Sequence, residues 1–355
     1  RSILRSSKGH SLITWLNENG KAGSFVYEDG EWSNFFDPRT GQLKVTRCLP
    51  RNESPDYAAR HVRLMMRNYA PKIAGTAPMA GRDCYLLRLT PRYKGSYSIT
   101  LWIDTKTNYL LGHTEINDRT ETVSTATFDG IKFPTTIPES AFKVLPTQAR
   151  GDNYSRSQRV FDLASLKKIV NFDFQVPYVT PCGYEFVCGE KVSMKGIDQA
   201  CMRYSDGVAD ITICQSKTVQ PRSLDVYNVR TSSDAMNNQV VEIQSGNMDT
   251  VIVGHTEIPV LMELARAMNN DQEKAFLDYI STKTGVSKTT IVSARNMGIN
   301  VDTLYALTTI SKMSSLSPAS LIKSYQDGIG WQTLARKFRL NPTPIARQME
   351  LFKPK

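Results

Sequence analysis

The sequence predicts an α+β protein: an antiparallel, curved half-barrel over one helix, a second smaller α+β domain, and an all-helical C-terminal domain. Three observations predict it. Turn residues punctuate alternating segments about every ten residues across 1–145, as in an antiparallel meander. One stretch there carries a 3.6-residue apolar stripe. After Asn269-Asn270 the alternation stops and only helical segments follow. A chain of 355 residues exceeds one ordinary core, and the pattern divides it into 1–145, a linker at 146–170, a second domain at 171–269 and a helical domain at 270–355.

In the first domain SLITWLNENG, KAGSFVYEDG, EWSNFFDPRTG and QLKVTRCLP read as strands ended by Gly, Asn and Asp turns. PDYAARHVRLMMRNY interrupts them as a helix. Val62, Met65, Met66 and Tyr69 recur there at i, i+3, i+4 and i+7, Pro55 and Asp56 suit its start, and Pro71 follows its stop. YSITLWIDTKTNYLLGHTEIND then reads as a hairpin, with Tyr97, Ile99, Leu101 and Ile103 on one face of its first strand and Ser98, Thr100, Trp102 and Asp104 on the other. A lone helix under a wide sheet leaves an apolar concavity. Its expected lining is Val62, Met65, Met66, Tyr69, Ile99, Leu101 and Ile103, the methionines being adaptable to acyl chains. The competing reading is that the helix fills the core. Asp104 and Glu115 are expected to face each other across the hairpin as sheet-surface carboxylates.

TQARGDNYSRSQR is polar and basic and reads as linker. Beyond it VPYVTPCGYEFVCGEKV leads into CMRYSDGVADITICQ, with Ser205-Asp206-Gly207 as a hairpin turn. NNQVVEIQSGNMDTVIVGHTEI supplies two more strands, and PVLMELARAM a helix whose Leu261, Leu264, Ala265 and Met268 share a face. The tail reads as short helices, with start signals at Ser317-Pro318 and Thr343-Pro344 and stops at Gly285, Gly298 and Gly328. Its last pair, GWQTLARKFRLNPTPIARQM, carries Arg336, Lys337, Arg339 and Arg347 in a helix-turn-helix-like arrangement. The turn has Arg339 where a glycine is usual, and such helix pairs are common packing units, so nucleic acid is not the expected partner.

The formal net charge is +10, but no run of five or six like charges occurs, so a solvated basic surface is favoured over a dedicated anion site. No apolar run approaches the roughly 20 residues of a membrane helix. The chain opens at Arg1, as a processed precursor or a trimmed chain would, and no charged-then-apolar leader is visible. Six cysteines in strand-rich segments, Cys48, Cys84, Cys182, Cys188, Cys201 and Cys214, are disulfide candidates and point to an oxidising compartment. Connectivity stays open, as does the reading of reduced, buried thiols. No nucleotide-binding loop, nucleophile elbow or zinc-protease motif occurs. His10, His61, His113 and His255 show no metal or triad spacing, so no catalytic residue, metal or cofactor is expected.

The segment RYKGSYSITLWIDTKTNYLLGHTEIND followed by FDGIKFPTTIPESAFKV resembles the lipoprotein-carrier-like domain of the RseB/MucB periplasmic sigma-factor regulators. The likeness rests on Tyr97, Leu101, Trp102, Ile103, Asp104, Thr107, Leu110 and Leu111, with Asn108 standing where the family has a turn glycine. Pro181, Gly183, Tyr184, the Tyr204-Ser205-Asp206-Gly207 hairpin, Val251, Val253 and Gly254 are similar to that family's second domain. SPASLIKSYQDGIGWQTLARKFRL looks like small helical modules appended to secreted bacterial proteins, and this tail departs from the RseB/MucB pattern. The resemblance implies an open curved sheet over a helix, a periplasmic or extracellular location, and a second domain that grips an anti-sigma factor. The expected function is a non-enzymatic binding protein that senses or holds an apolar or acylated ligand, such as a lipid or lipoprotein acyl chain, and engages a protein partner. The alternative is a structural component of a cell-envelope or surface assembly, with the helical tail docking its neighbours.

Overall fold

The computed structural model describes residues 2–354 except 7–9, 17–18, 30–31, 48–54, 135, 143–149, 155–156, 195, 219–227, 234–237 and 246. Strands β1 (Ser2–Arg5), β2 (Ser11–Leu16), β3 (Ala22–Glu28), β4 (Trp32–Asp37) and β5 (Gln42–Arg47) form an antiparallel meander. Helix α1 (Pro55–Asn68) follows. Then come β6 (Tyr69–Met79), β7 (Arg82–Pro91), β8 (Ser98–Asp104), β9 (Leu110–Ile116) and β10 (Thr122–Thr127), which make a second, five-stranded antiparallel sheet. Among the described residues neither sheet closes on itself. Asn108 takes the left-handed turn position with φ +56°, as its short polar side chain allows. Asp104 and Glu115 do not face each other. Glu115 stands opposite Ile99, while Asp104 closes the turn, where Arg82 holds its carboxylate at 3.0 Å and Thr107 N–H donates to it at 2.9 Å. Those bonds hold Asp104 down to about 2.

Residues 146–170, expected as linker, carry three elements. Strand β11 (Arg150–Tyr154) returns to pair parallel with β5, the one parallel contact in the first sheet. Strand β12 (Ser157–Val160) and helix α2 (Leu163–Ile169) belong to the following domain. The helix forms because Asp162 caps it, accepting from Ser165 N–H at 2.7 Å, and because Leu163 and Leu166 bury themselves against the next sheet.

That sheet adds β13 (Glu185–Met194), β14 (Ile197–Ser205), β15 (Asp210–Lys217), β16 (Asn228–Ser233), β17 (Gln239–Ser245) and β18 (Met248–Gly254), in the order β12-β13-β14-β15-β18-β17-β16, all antiparallel. Helix α3 (Ile258–Arg266) buries Leu261, Leu264 and Ala265 against it, with Met268 just beyond. Cys201 and Cys214 stand directly opposite one another in β14 and β15 and form a disulfide. Cys84, Cys182 and Cys188 are free thiols, and Cys48 lies outside the described residues. Cys182 and Cys188 do not pair. The first sits in a left-handed turn with its Sγ on the Lys94 carbonyl, and the second is buried in β13 beyond a register shift. The Cys201–Cys214 bridge closes a loop of sequence separation 13. Replacing both cysteines with alanine is expected to lower stability by about 2–3 kcal/mol, read as an earlier urea midpoint under non-reducing conditions.

The tail comprises α4 (Asn270–Thr284), α5 (Lys288–Asn296), α6 (Val301–Ser314), α7 (Pro318–Gln326), α8 (Trp331–Lys337) and α9 (Pro342–Met349). Ser317 caps α7 through Ser320 N–H, with Pro318 in the first turn. The start of α9 is one proline earlier than Thr343-Pro344, because Asn341 accepts from Thr343 N–H and Pro342 takes the first turn. Gly285, Gly298 and Gly328 all adopt positive φ after their helices. The tail is built onto the second domain: Val301 N–H donates to the Tyr178 carbonyl at 2.8 Å, and Arg295 donates to the Pro177 carbonyl at 2.7 Å. No helix among the described residues is long and apolar enough to cross a membrane.

Candidate functional site at the junction of three domains

The buried side of α1 runs through Leu64 and Asn68, rotated from the predicted stripe. Met65 is half-buried. It joins Tyr69, Leu89 and Ile99 in a small core, with Leu87, Leu101 and Val208 packed against them. Tyr69 and Ile99 are both buried in that cluster. Val62 and Met66 turn outward, each 53% exposed. Ile103 is half-buried on the face that carries Leu101 and Ile99. That face continues through Tyr85, paired with Ile103, and through Ile73, paired with Leu87. Beyond the end covered by α1 it is open: Ile73 is 64% and Tyr85 42% exposed.

Helix α1 is gripped by the second domain. Asn68 Nδ2 donates to the carbonyls of Gly183 and Asp206, at 3.0 and 2.8 Å, and Tyr69 Oη donates to Asp206 Oδ2 at 2.7 Å. Asp206 also accepts from the N–H groups of Val208 and Ala209. Burial nonetheless pushes its carboxyl above the usual range, and burial together with Asp206 pushes the Tyr69 phenol up. Two histidine–carboxylate pairs cross the same junction, His61 with Asp210 at 3.7 Å and His255 with Glu115 at 2.5 Å. Burial raises Asp210, but hydrogen bonds from His61 and Ser205 outweigh it and bring the group below its ordinary value.

The third domain meets this junction through a triad that the sequence reading did not find. Arg67 of α1 pairs with Glu185 Oε1 of β13 at 2.7 Å, Tyr325 of α7 donates its hydroxyl to the same oxygen, and the Arg67 guanidinium lies 4.7 Å over the Tyr325 ring. Burial opposes the Arg67 charge, but Glu185 and Tyr325 outweigh it and hold the guanidinium above its ordinary value. The only sequence signal was the spacing of Arg60, Arg63 and Arg67 along one side of α1.

The triad is the shared wall of two cavities of about 550 and 530 Å³. The larger is acidic. Asp118, Glu257, Glu263, Asp302 and Glu350 line it with Glu185, against Arg67, Lys94 and Lys353, and burial raises Asp302 to about 6. The smaller is basic and is lined by the three arginines of α1. No group of three or more metal-ligating side chains occurs among the described residues. Arg336, Lys337 and Arg347 are exposed on α8 and α9 and Arg339 in the turn between them, all outside both cavities.

Residues 16–145 match the MucB/RseB N-terminal domain family. Among solved structures, the chain is similar to MucB in complex with MucA(peri), at 15% identity over 72% of this chain and 85% of that one, TM-score 0.44. It is similar to the MucA/MucB complex of Pseudomonas aeruginosa at 15% identity, with 72% and 86% covered and a TM-score of 0.45. For MucB alone the figures are 15%, 75% and 88%, with a TM-score of 0.40. No curated protein sequence matches the chain. Over residues 16–145, a little over a third of its length, the chain is thus similar to the MucB/RseB N-terminal domain.

Proposed function

We propose that the protein is an extracytoplasmic, non-enzymatic binding protein that holds an apolar or acylated ligand on its first domain and engages a protein partner, an anti-sigma factor of the kind the family resemblance implies. MucB has been solved bound to MucA, which supports a protein partner here. The Cys201–Cys214 bridge supports an oxidising compartment. The observation that carries the ligand reading is the half-covered apolar face. Val62 and Met66 on α1, and Ile73 and Tyr85 on the sheet beside it, are all large, apolar and more than 40% exposed. Large apolar side chains exposed on neighbouring elements support an interaction site there. Each acyl methylene buried there contributes about 0.8 kcal/mol. Of the seven lining residues expected from sequence, Val62 and Met66 are the ones this reading keeps at the ligand, with Ile103 and Leu101 at its edge.

Native mass spectrometry after gentle extraction tests the reading. The expected result is a retained acyl-chain mass that disappears in the double variant Val62→Asp with Met66→Asp. Protein that carries no lipid and takes up no acylated probe sinks the ligand half. Light scattering with a membrane-anchored anti-sigma segment tests the partner half, the expected result being a defined complex with one copy of each chain. A large homo-oligomer that ignores the segment would favour an assembly component instead.

A further inference from the structure

The smaller cavity has more positive charge than the fold uses. Arg60, Arg63 and Arg67 converge on it from successive turns of α1, opposed inside by the Glu185 carboxylate alone. Asp327 also lines the cavity, but at the rim, where Lys323 holds it at 3.1 Å. Three guanidiniums against one carboxylate leave an excess of two positive charges. Arg67 is held by Glu185, and Arg60 donates to the Phe186 carbonyl. Arg63 differs. Its Nε is buried without a hydrogen-bond partner among the described residues, and its stem packs against Gly328 so closely that a Cβ there would come within 3.0 Å of it. Burial, with Arg67 and Arg63 adding to it, pulls Arg60 below the usual guanidinium value against the opposing effect of Glu185, as expected where positive charge is under-compensated.

A buried guanidinium donor without an acceptor is costly, and a ligand oxygen relieves it. The guanidinium fork matches oxyanions in geometry, and a phosphate offers several acceptor oxygens together with close to two negative charges. We propose that the cavity between α1, β13 and the turn after α7 binds a small phosphate-class oxyanion, with Arg63 as its principal donor. The site is independent of the apolar face on the first domain. It requires the helical tail, because Tyr325, Gln326 and Gly328 form one of its walls. Bound there, the anion would tie that tail to α1.

Calorimetric titration of the full chain with inorganic pyrophosphate at low salt tests the assignment. The expected result is one saturable site with Kd below about 1 mM. Affinity should fall about tenfold or more in Arg63→Gln and stay unchanged in Arg88→Gln, an exposed arginine of β7. A wild-type protein without saturable binding overturns the proposal, as does equal loss in the two variants. If Arg63→Gln does not fold, Arg63→Lys decides, since it keeps the charge and loses the fork: binding weakened several-fold supports the site, and unchanged affinity overturns it.

Discussion

Replacing Glu185 with alanine is expected to destabilise the protein by about 3–5 kcal/mol, because it strands a buried charge rather than merely removing a contact. Arg67 and Glu185 each keep only 11% of their side-chain surface in water. Without the carboxylate, Arg67 and Arg60 face each other's charge with no counterion, and the Tyr325 hydroxyl loses its acceptor. The pair itself is a different quantity. Desolvating two ions offsets most of their attraction, so the double replacement Glu185→Leu with Arg67→Met is expected to recover most of the loss. Urea unfolding of the two variants measures both effects. A loss below about 1 kcal/mol for the single variant would mean that water screens the pair as it does at a surface.

Gly207→Val is expected to cost about 4 kcal/mol and to loosen α1 from the second domain. Gly207 adopts φ +102°, a conformation that a β-branched residue cannot take without strain. A Cβ there would overlap the Met65 backbone nitrogen and stand 2.8 Å from the His61 carbonyl oxygen. Those are helix backbone atoms, so no rotamer change relieves the clash. Amide exchange is the direct readout: protection should fall across residues 61–69 while β17 and β18 stay protected. Unchanged exchange in α1 would show that the hairpin and the helix are not in contact in solution.

Local features were readable from sequence. The Asn108 turn, the Ser317-Pro318 cap and the shared face of Leu261, Leu264 and Ala265 each depend on residues within one or two turns of each other. What escaped was decided by distant neighbours. Periodicity assigned the inward side of α1 to Val62, Met65, Met66 and Tyr69, yet contacts from two other domains rotate the helix so that Leu64, Asn68 and the arginines turn in. Residues 157–169 looked like linker because they are polar and basic at the start, and only the partner strand β13 makes them part of a sheet. The return of β11 to β5 joins segments about a hundred residues apart, which no short window reveals. Arg60, Arg63 and Arg67 were visible as letters, but their meaning depends on Glu185 and Tyr325, far along the chain.

The Cys201–Cys214 bridge joins neighbours in one hairpin, so its two sulfurs come together as soon as β14 and β15 have left the ribosome or translocation channel. Oxidation then needs no segment that emerges later, and the tail arrives at a scaffold already cross-linked. Four other cysteines precede both of them in the chain, so the hairpin register that sets Cys201 opposite Cys214 is what favours this pairing over the alternatives.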